Sequence, residues 1–467
     1  MLVSPFSRPL VCEQLPGHYS ATDLTQRLVG LPAPCVLESS LRVGDMGRWH
    51  VFAAAPIGAL RLYGERFERE QPNGVIERGT GAPWRILVDW WSSWREAGPP
   101  DSVAAAAAGL PLTGGAIGYL GYELGEYLEE LGAPRGRDPK IPDAHLCLYD
   151  ELLLVDAASG VATFVHRNRD GVRERRWWER SAPAAAASKA RATPLVEHAP
   201  SLSDVEFLAA VSAIRAAIGR GDVYQTNLTR RHHFTGGPDL WELFRRLRTR
   251  QPVPYAACLP WEPVGVVSAS PERFLFRTGA CVETRPIKGT APRTGHAEVD
   301  AQAAAALLAS EKQRAELAMI IDLLRNDLGR VCEVGSIVVA EESALEHYST
   351  VSHTVATVRG ELDPRRSPIA LLRATFPGGS ITGAPKIAAM KQIRALEPTP
   401  RKVYTGALGW IAPDGALDLA IAIRTAYRHG AHTYFSVGGG ITWDSDPHEE
   451  LAEIEAKGRA IFAALRE

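Results

Sequence analysis

Two kinds of hydrophobic pattern alternate along this chain. Short apolar runs bounded by turn residues read as strands, as in Trp49-His50-Val51-Phe52-Ala53-Ala54 and Leu152-Leu153-Leu154-Val155. Similar runs lie at 264–268, 336–339, 403–411 and 433–437. Apolar residues at helical spacing run from Val205 to Ile218 and again from Ala301 to Leu324. Several strands follow one another through short turns, as at Ile411-Ala412-Pro413-Asp414-Gly415-Ala416. That favours antiparallel pairing over a βαβ series. The last helix has a clear start. Asp446 suits the cap, Pro447 the first turn, and Glu449 stands three residues after the cap. Leu451, Ile454, Gly458, Ile461 and Leu465 supply its apolar stripe.

The pattern divides the chain into a first block, residues 1–180, and a second, residues 203–467. Residues 181–202, rich in Ala, Pro and Ser, read as a linker or surface excursion. Ala104 to Ala108 reads as a helix end or loop. No internal repeat is evident. The run Gly114-Gly115-Ala116-Ile117-Gly118-Tyr119-Leu120-Gly121-Tyr122-Glu123 predicts close backbone packing, since its glycine spacing does not fit a dinucleotide fingerprint.

Composition narrows the class. The 467 residues are 45% apolar and 23% charged with a net charge of -2, ordinary for a soluble globular enzyme. No basic excess points to nucleic acid. No apolar run reaches the roughly 18 residues of a membrane span. The first residues lack a charged segment followed by an apolar one, so the expected location is the cytoplasm. Six cysteines form no Cys-x-x-Cys pair and read as small hydrophobes in a reducing compartment. None lies in a Gly-x-Cys-x-Gly elbow, so no glutaminase nucleophile is found.

Candidate chemistry concentrates in the second block. Lys288, in Arg285-Pro286-Ile287-Lys288-Gly289-Thr290, stands where a chain can turn tightly; Glu272 lies beside a proline in Ser270-Pro271-Glu272-Arg273-Phe274. Glu450, Glu453 and Lys457 share one side of the last helix, bordering its stripe. They make either a solvated face with a salt bridge or carboxylates for Mg²⁺. Glu316, one turn from Met319 and Ile320, must be paired or metal-bound if it faces inward. Asp322-Leu323-Leu324-Arg325-Asn326-Asp327 reads as a helix-end hydrogen-bond network. The glycine-rich loop before Pro385 and the run Gly438-Gly439-Gly440 after a strand could offer backbone N–H groups to an anion; the plain alternative is a turn. Arg424, a cation inside an apolar strand, is either paired structurally or grips a ligand carboxylate. A lone histidine such as His353 is more often structural than catalytic.

The ordered set Ser-Pro-Glu-Arg-Phe (270–274), Arg-Pro-Ile-Lys-Gly-Thr (285–290), Asp-Leu-Leu-Arg-Asn-Asp-Leu-Gly-Arg (322–330), Gly-Gly-Ser-Ile-Thr-Gly-Ala-Pro-Lys (378–386), Ala-Ile-Arg-Thr-Ala (422–426) and Gly-Gly-Gly-Ile-Thr (438–442) resembles one family. It is the chorismate-binding core shared by anthranilate, isochorismate, salicylate and aminodeoxychorismate synthases. The first block also resembles the family's amino-terminal region, through Gly114 to Glu123 and Ile141-Pro142-Asp143. The resemblance implies an α+β fold: two stacked, mostly antiparallel sheets flanked by helices, with the site between the halves.

Single residues choose the branch. Anthranilate synthases carry Ala where this chain has Lys288, and the Pro-Ile-Lys-Gly-Thr form is similar to the aminodeoxychorismate synthases. Gln225 fills the place of the lysine base of the water-adding members. The resemblance then implies Lys288 as nucleophile, Glu272 as acid and His353 as an active-site histidine. It implies Mg²⁺ on Glu316 and Glu453, with Glu450 through water. Arg424, Tyr404, Lys457 and the amides of Gly438, Gly439 and Gly440 would hold a substrate carboxylate, with Thr290 and Gln225 completing the pocket. A separate glutamine amidotransferase subunit would supply ammonia. Leu37-Glu38-Ser39-Ser40 is similar to the family's tryptophan-sensing segment. Alternatives are anthranilate synthesis and a non-catalytic paralogue binding chorismate or the amidotransferase.

Overall fold

The computed structural model of the chain describes residues 5–467, apart from 45, 72, 96–108, 133–137, 168–176, 180–192 and 350. Ala104 to Ala108 and most of the 181–202 segment therefore lie outside the described residues. The part of that segment that is described is not a plain linker, because Thr193–His198 forms a strand against Gln225–Gly237.

The described strands make two sheets of twelve. Every pairing within them is antiparallel, as the short turns predict. In one sheet Cys35–Glu38, from the first block, pairs with Tyr255–Leu259, from the second. In the other, Gly115–Leu120 pairs with Ala407–Ile411. Both blocks therefore contribute strands to both sheets. Cys35, Val51, Val266 and Tyr427 of the first sheet meet Ile117, Tyr119, Leu408 and Trp410 of the second in one buried cluster. Helices cover the outer faces. Asp204–Gly219, Leu240–Arg250 and Pro447–Arg466 bury their stripes on the first sheet. Pro83–Trp94, Glu311–Gly329 and Pro368–Thr375 bury theirs on the second. This is the α+β architecture of two stacked sheets flanked by helices.

The glycine run packs as its composition predicts. A Cβ on Gly118 would stand 2.0 Å from the His145 carbonyl oxygen. Its cross-strand partner Gly409 is equally tight, a Cβ there lying 2.1 Å from the Asp418 carbonyl oxygen. Backbone cannot yield as a side-chain tip can. Gly118→Ala should therefore lower stability by about 1–3 kcal/mol, the usual cost of overpacking, seen as a lower denaturant midpoint at unchanged slope.

Local signals placed some elements and misplaced others. Asp446 caps Pro447–Arg466, its carboxylate accepting the His448 and Glu449 N–H groups. The stretch 301–324 is two helices, Ala297–Ala309 and Glu311–Gly329. Ser310 ends the first and caps the second, its hydroxyl accepting the Gln313 N–H at 3.3 Å, because a short polar side chain competes with the helix's own bonds. The strand expected at 336–339 runs instead over Val338–His347. Of 403–411 only Ala407–Ile411 is strand. Lys402 and Thr405 adopt φ of 58° and 59°, and Glu123 accepts both the Arg401 and Lys402 N–H groups. A buried carboxylate thus turns the chain where its hydrophobicity reads as extended. Arg424 likewise lies between strands Leu417–Ile421 and Thr425–His429, with φ of 49°.

Candidate active site

A cavity of about 480 Å³ is lined by residues of both sheets and of the helices Glu311–Gly329 and Pro447–Arg466. It gathers Glu272, Lys288, Thr290, Glu316, His353, Tyr404, Arg424, Gly438, Gly439, Gly440, Glu450, Glu453 and Lys457, residues spread over some 190 positions of sequence. Gln225 lies just behind this wall.

Local backbone geometry aims the lysine. Ile287–Pro292 pairs with Val351–Glu361, and the register shifts between Lys288 and Thr290. Gly289 occupies that bulge with φ of 63°, a left-handed conformation that favours glycine. The half-buried Lys288 amine reaches across to Gly440: a Cβ there would stand 3.3 Å from its Nζ and 2.1 Å from Gln225 Nε2. Burial pushes the Lys288 amine below its ordinary value, against the opposing pull of Glu316.

Glu272 is buried opposite. It accepts the Ser380 hydroxyl at 2.5 Å and the Ile287 N–H. Burial raises its carboxyl to about 7, although Ser380 and Lys288 pull the other way. A carboxyl at that value holds its proton near neutral pH and can still release it. Ser380 belongs to the glycine-rich loop read as an anion cradle; here its hydroxyl orients the acid. Lys386, which opens the helix after this loop, binds the buried Asp327 at 2.5 Å, a structural ion pair at the end of the 322–327 segment.

His353 is buried, and its Nδ1 lies 3.2 Å from the Gly289 carbonyl and 3.0 Å from Thr290 Oγ1. A carbonyl only accepts, so Nδ1 carries the proton. Nε2, buried and without a partner among the described residues, is left as an acceptor. Burial and Arg424 lower the imidazole to about 4, so it is neutral at ordinary pH.

The three glycines are not a turn after a strand. They lie inside His432–Ile441, paired with Thr229, Leu228 and Asn227. Strand Thr425–His429 pairs this strand only as far as Phe435, so the far edge of the glycine stretch is left to the cavity. Absence of side chains there makes room for Gln225 and Lys288 beside Gly440 and for Glu450 beside Gly439, where a Cβ would lie 3.1 Å from Glu450 Oε2. Gln225 is fully buried, and neither its amide oxygen nor its nitrogen has a partner among the described residues.

The three carboxylates face the same cavity but are held apart. Lys457 pairs with Glu453 at 2.6 Å and donates to the Gly438 carbonyl at 3.2 Å. Ser445 donates to Glu450 at 2.6 Å. No group of three acidic, histidine or cysteine side chains converges at ligand spacing among the described residues. Burial raises Glu316 and Glu450 above the ordinary carboxylate range. Burial also pushes Glu453 upward, but Lys457 outweighs it and holds that carboxyl low. Half-buried carboxylates of this kind fit a hard divalent cation, which would offset the burial cost.

Among the lining residues not singled out as candidates in the sequence are Ser380, Lys312 and Gln313. Lys312 and Gln313 precede Glu316 by four and three positions, so helical spacing on Glu316's own face was the available signal. Glu272 and Arg273 are neighbours that serve different cavities. Arg273 lines a second one, of about 320 Å³, with Leu37, Glu38, Ser39, Tyr255 and Asp418. At its rim Arg248 pairs with Glu38 at 2.8 Å.

An acid, an amine and a set of carboxylates facing a glycine-lined sheet edge define a class. Residues 72–463 match the chorismate binding enzyme family, and the chain belongs to it. The chain is 36% identical over 439 residues to aminodeoxychorismate synthase component 1 of Escherichia coli (strain K12), covering 94% of each. It is 38% identical over 397 residues to anthranilate synthase component 1 of Streptomyces coelicolor, covering 78% of this chain and 75% of that one. The solved anthranilate synthase component I from Streptococcus pneumoniae TIGR4 superimposes with a TM-score of 0.75 at 28% identity, over 90% of this chain and 93% of that.

Proposed function

We propose that the chain is the chorismate-aminating component of an aminodeoxychorismate synthase, converting chorismate and ammonia to 4-amino-4-deoxychorismate for 4-aminobenzoate and folate synthesis. The observation that carries this reading is Lys288, an amine of lowered basicity sharing one cavity with Glu272, whose carboxyl is raised to about 7.

The neutral Lys288 amine attacks C2 of the ring. The two double bonds shift toward C4, and the C4 hydroxyl leaves as water with the proton of Glu272. Ammonia adds at C4, the double bonds shift back, and the lysine departs from C2. Hydroxide is a poor leaving group, so the positioned acid matters. The Glu272 carboxylate, which gave up its proton to the leaving hydroxyl, can take back the proton that the incoming ammonia sheds, while the neutral His353 is left with Nε2 as a hydrogen-bond acceptor. Arg424, Tyr404, Lys457 and the edge of Gly438, Gly439 and Gly440 hold one substrate carboxylate, while the Gly289 carbonyl fixes the tautomer of His353 and Thr290 lines the pocket beside it. Glu316 and Glu453, with Glu450 through water, would hold Mg²⁺, which supplies positive charge to the other carboxylate when bound. Gln225, an amide, cannot deprotonate water, which disfavours hydroxylation. Ammonia comes from a partner glutamine amidotransferase. The six cysteines, all free, suit the reducing cytoplasm. No helix of the described residues is long and apolar enough to cross a membrane.

The test is product identity. Incubated with chorismate, Mg²⁺ and excess ammonium near neutral pH, the chain should yield a product with the mass of aminodeoxychorismate that a downstream lyase converts to 4-aminobenzoate. Anthranilate or isochorismate as sole product, or no turnover, would overturn the assignment.

A further inference from the structure

Arg424 is a buried-site cation of an unusual kind. Its backbone sits in the left-handed region and its guanidinium lines the cavity. It makes no ion pair among the described residues, and burial lowers its basicity. One side chain holds it. Oriented with its amide oxygen toward the guanidinium, the orientation that satisfies both amide atoms, Gln251 accepts from Arg424 Nε at 3.0 Å and Nη1 at 2.7 Å.

Gln251 is itself rigidly placed. It ends the helix Leu240–Arg250, its N–H donating to the Leu247 carbonyl at 2.8 Å. Two residues on, the Val253 carbonyl accepts the Ser40 and Leu41 N–H groups at 3.1 and 3.2 Å, and the Val253 N–H donates to Ser40 Oγ at 3.0 Å. The amide is thus anchored on both sides of a short Pro252-containing link.

We propose that Gln251 is a positioning residue for the substrate carboxylate: an uncharged acceptor that fixes the Arg424 fork without neutralising it. This rests on the reading above, in which Arg424 binds a carboxylate of chorismate. The charge of the holder is the deciding feature. A carboxylate in the same place would make a stronger, charge-assisted pair with the arginine. A ligand carboxylate would then meet a cation already neutralised, and a second negative charge beside it in a site poor in water. An amide keeps the guanidinium in place and leaves its charge for the ligand.

Gln251→Glu separates this from a structural role, because it preserves size and acceptor geometry and changes only charge. The expected result is a rise of tenfold or more in the KM for chorismate, with kcat within a few-fold of wild type and a melting temperature unchanged or higher. Gln251→Met, neutral but without an acceptor, should raise KM several-fold and guards against a Glu variant that fails to fold. Arg424→Met is measured alongside. A large KM effect there, with Gln251→Glu and Gln251→Met both within twofold of wild type, overturns the role of Gln251 and leaves the site reading standing. An Arg424→Met variant with unchanged KM overturns the reading of Arg424 itself.

Discussion

In the Lys288→Ala variant, amination of chorismate falls by on the order of 10³-fold or more in kcat/KM, because the proposed nucleophilic amine is gone. Ammonia must then displace the C4 hydroxyl from chorismate directly, without the intermediate that splits the reaction in two. A second readout is independent of turnover. Intact-protein mass measurement of the wild type with chorismate and Mg²⁺, without ammonia, should show the substrate added to the protein less water, and Lys288→Ala should show none. A wild type that never carries the adduct, together with a variant that still turns over, would exclude a lysine nucleophile. The neighbourhood of Lys288 supports its reactivity: burial disfavours the ammonium, and Gly440 leaves room for the side chain to cross to the opposite sheet.

Glu272→Gln is expected to lower kcat by roughly 10²–10⁴-fold, the usual worth of a positioned general acid. The sign of its pH dependence follows from the raised carboxyl. Glu272 keeps its proton below about 7 and loses it above, so the wild-type rate should decline as pH rises through that value. Lys288 acts in the opposite direction, since more of it is neutral as pH rises. The two together produce a bell-shaped kcat profile whose limbs belong to the coupled pair. In Glu272→Gln the alkaline decline should vanish while the ascending limb remains. If the variant keeps the wild-type descending limb, the acid is another residue. Ser380→Ala, which removes the hydroxyl that favours the charged carboxylate, should move the descending limb to higher pH.

Much of the site was readable before the fold was known, for a physical reason. Lys288, Glu272, Arg424 and the three glycines each sit in a short ordered motif, which singles them out as candidates, and the structure lines one cavity with them. Elements with strong local signals were also legible, such as the capped helix Pro447–Arg466 with its stripe. Burial and long-range bonds defeated the reading elsewhere. The run 403–411 looks like one strand, but Glu123, about 280 positions away, bends its first half into a turn. The glycines expected to follow a strand lie inside one, because the ten-residue ladder with Gln225–Gly237 runs straight through them.

The amino-acid sequence by itself determined which chemical groups this protein has and which backbone positions are free of side chains, since both are local properties of residue type. Only the tertiary structure decided which charges are left unpaired and which are cancelled. It set Lys457 on Glu453, Lys386 on Asp327, and an uncharged Gln251 on Arg424. Pairing depends on distance across two sheets and on exclusion of water, and neither is written in the spacing of residues along a chain.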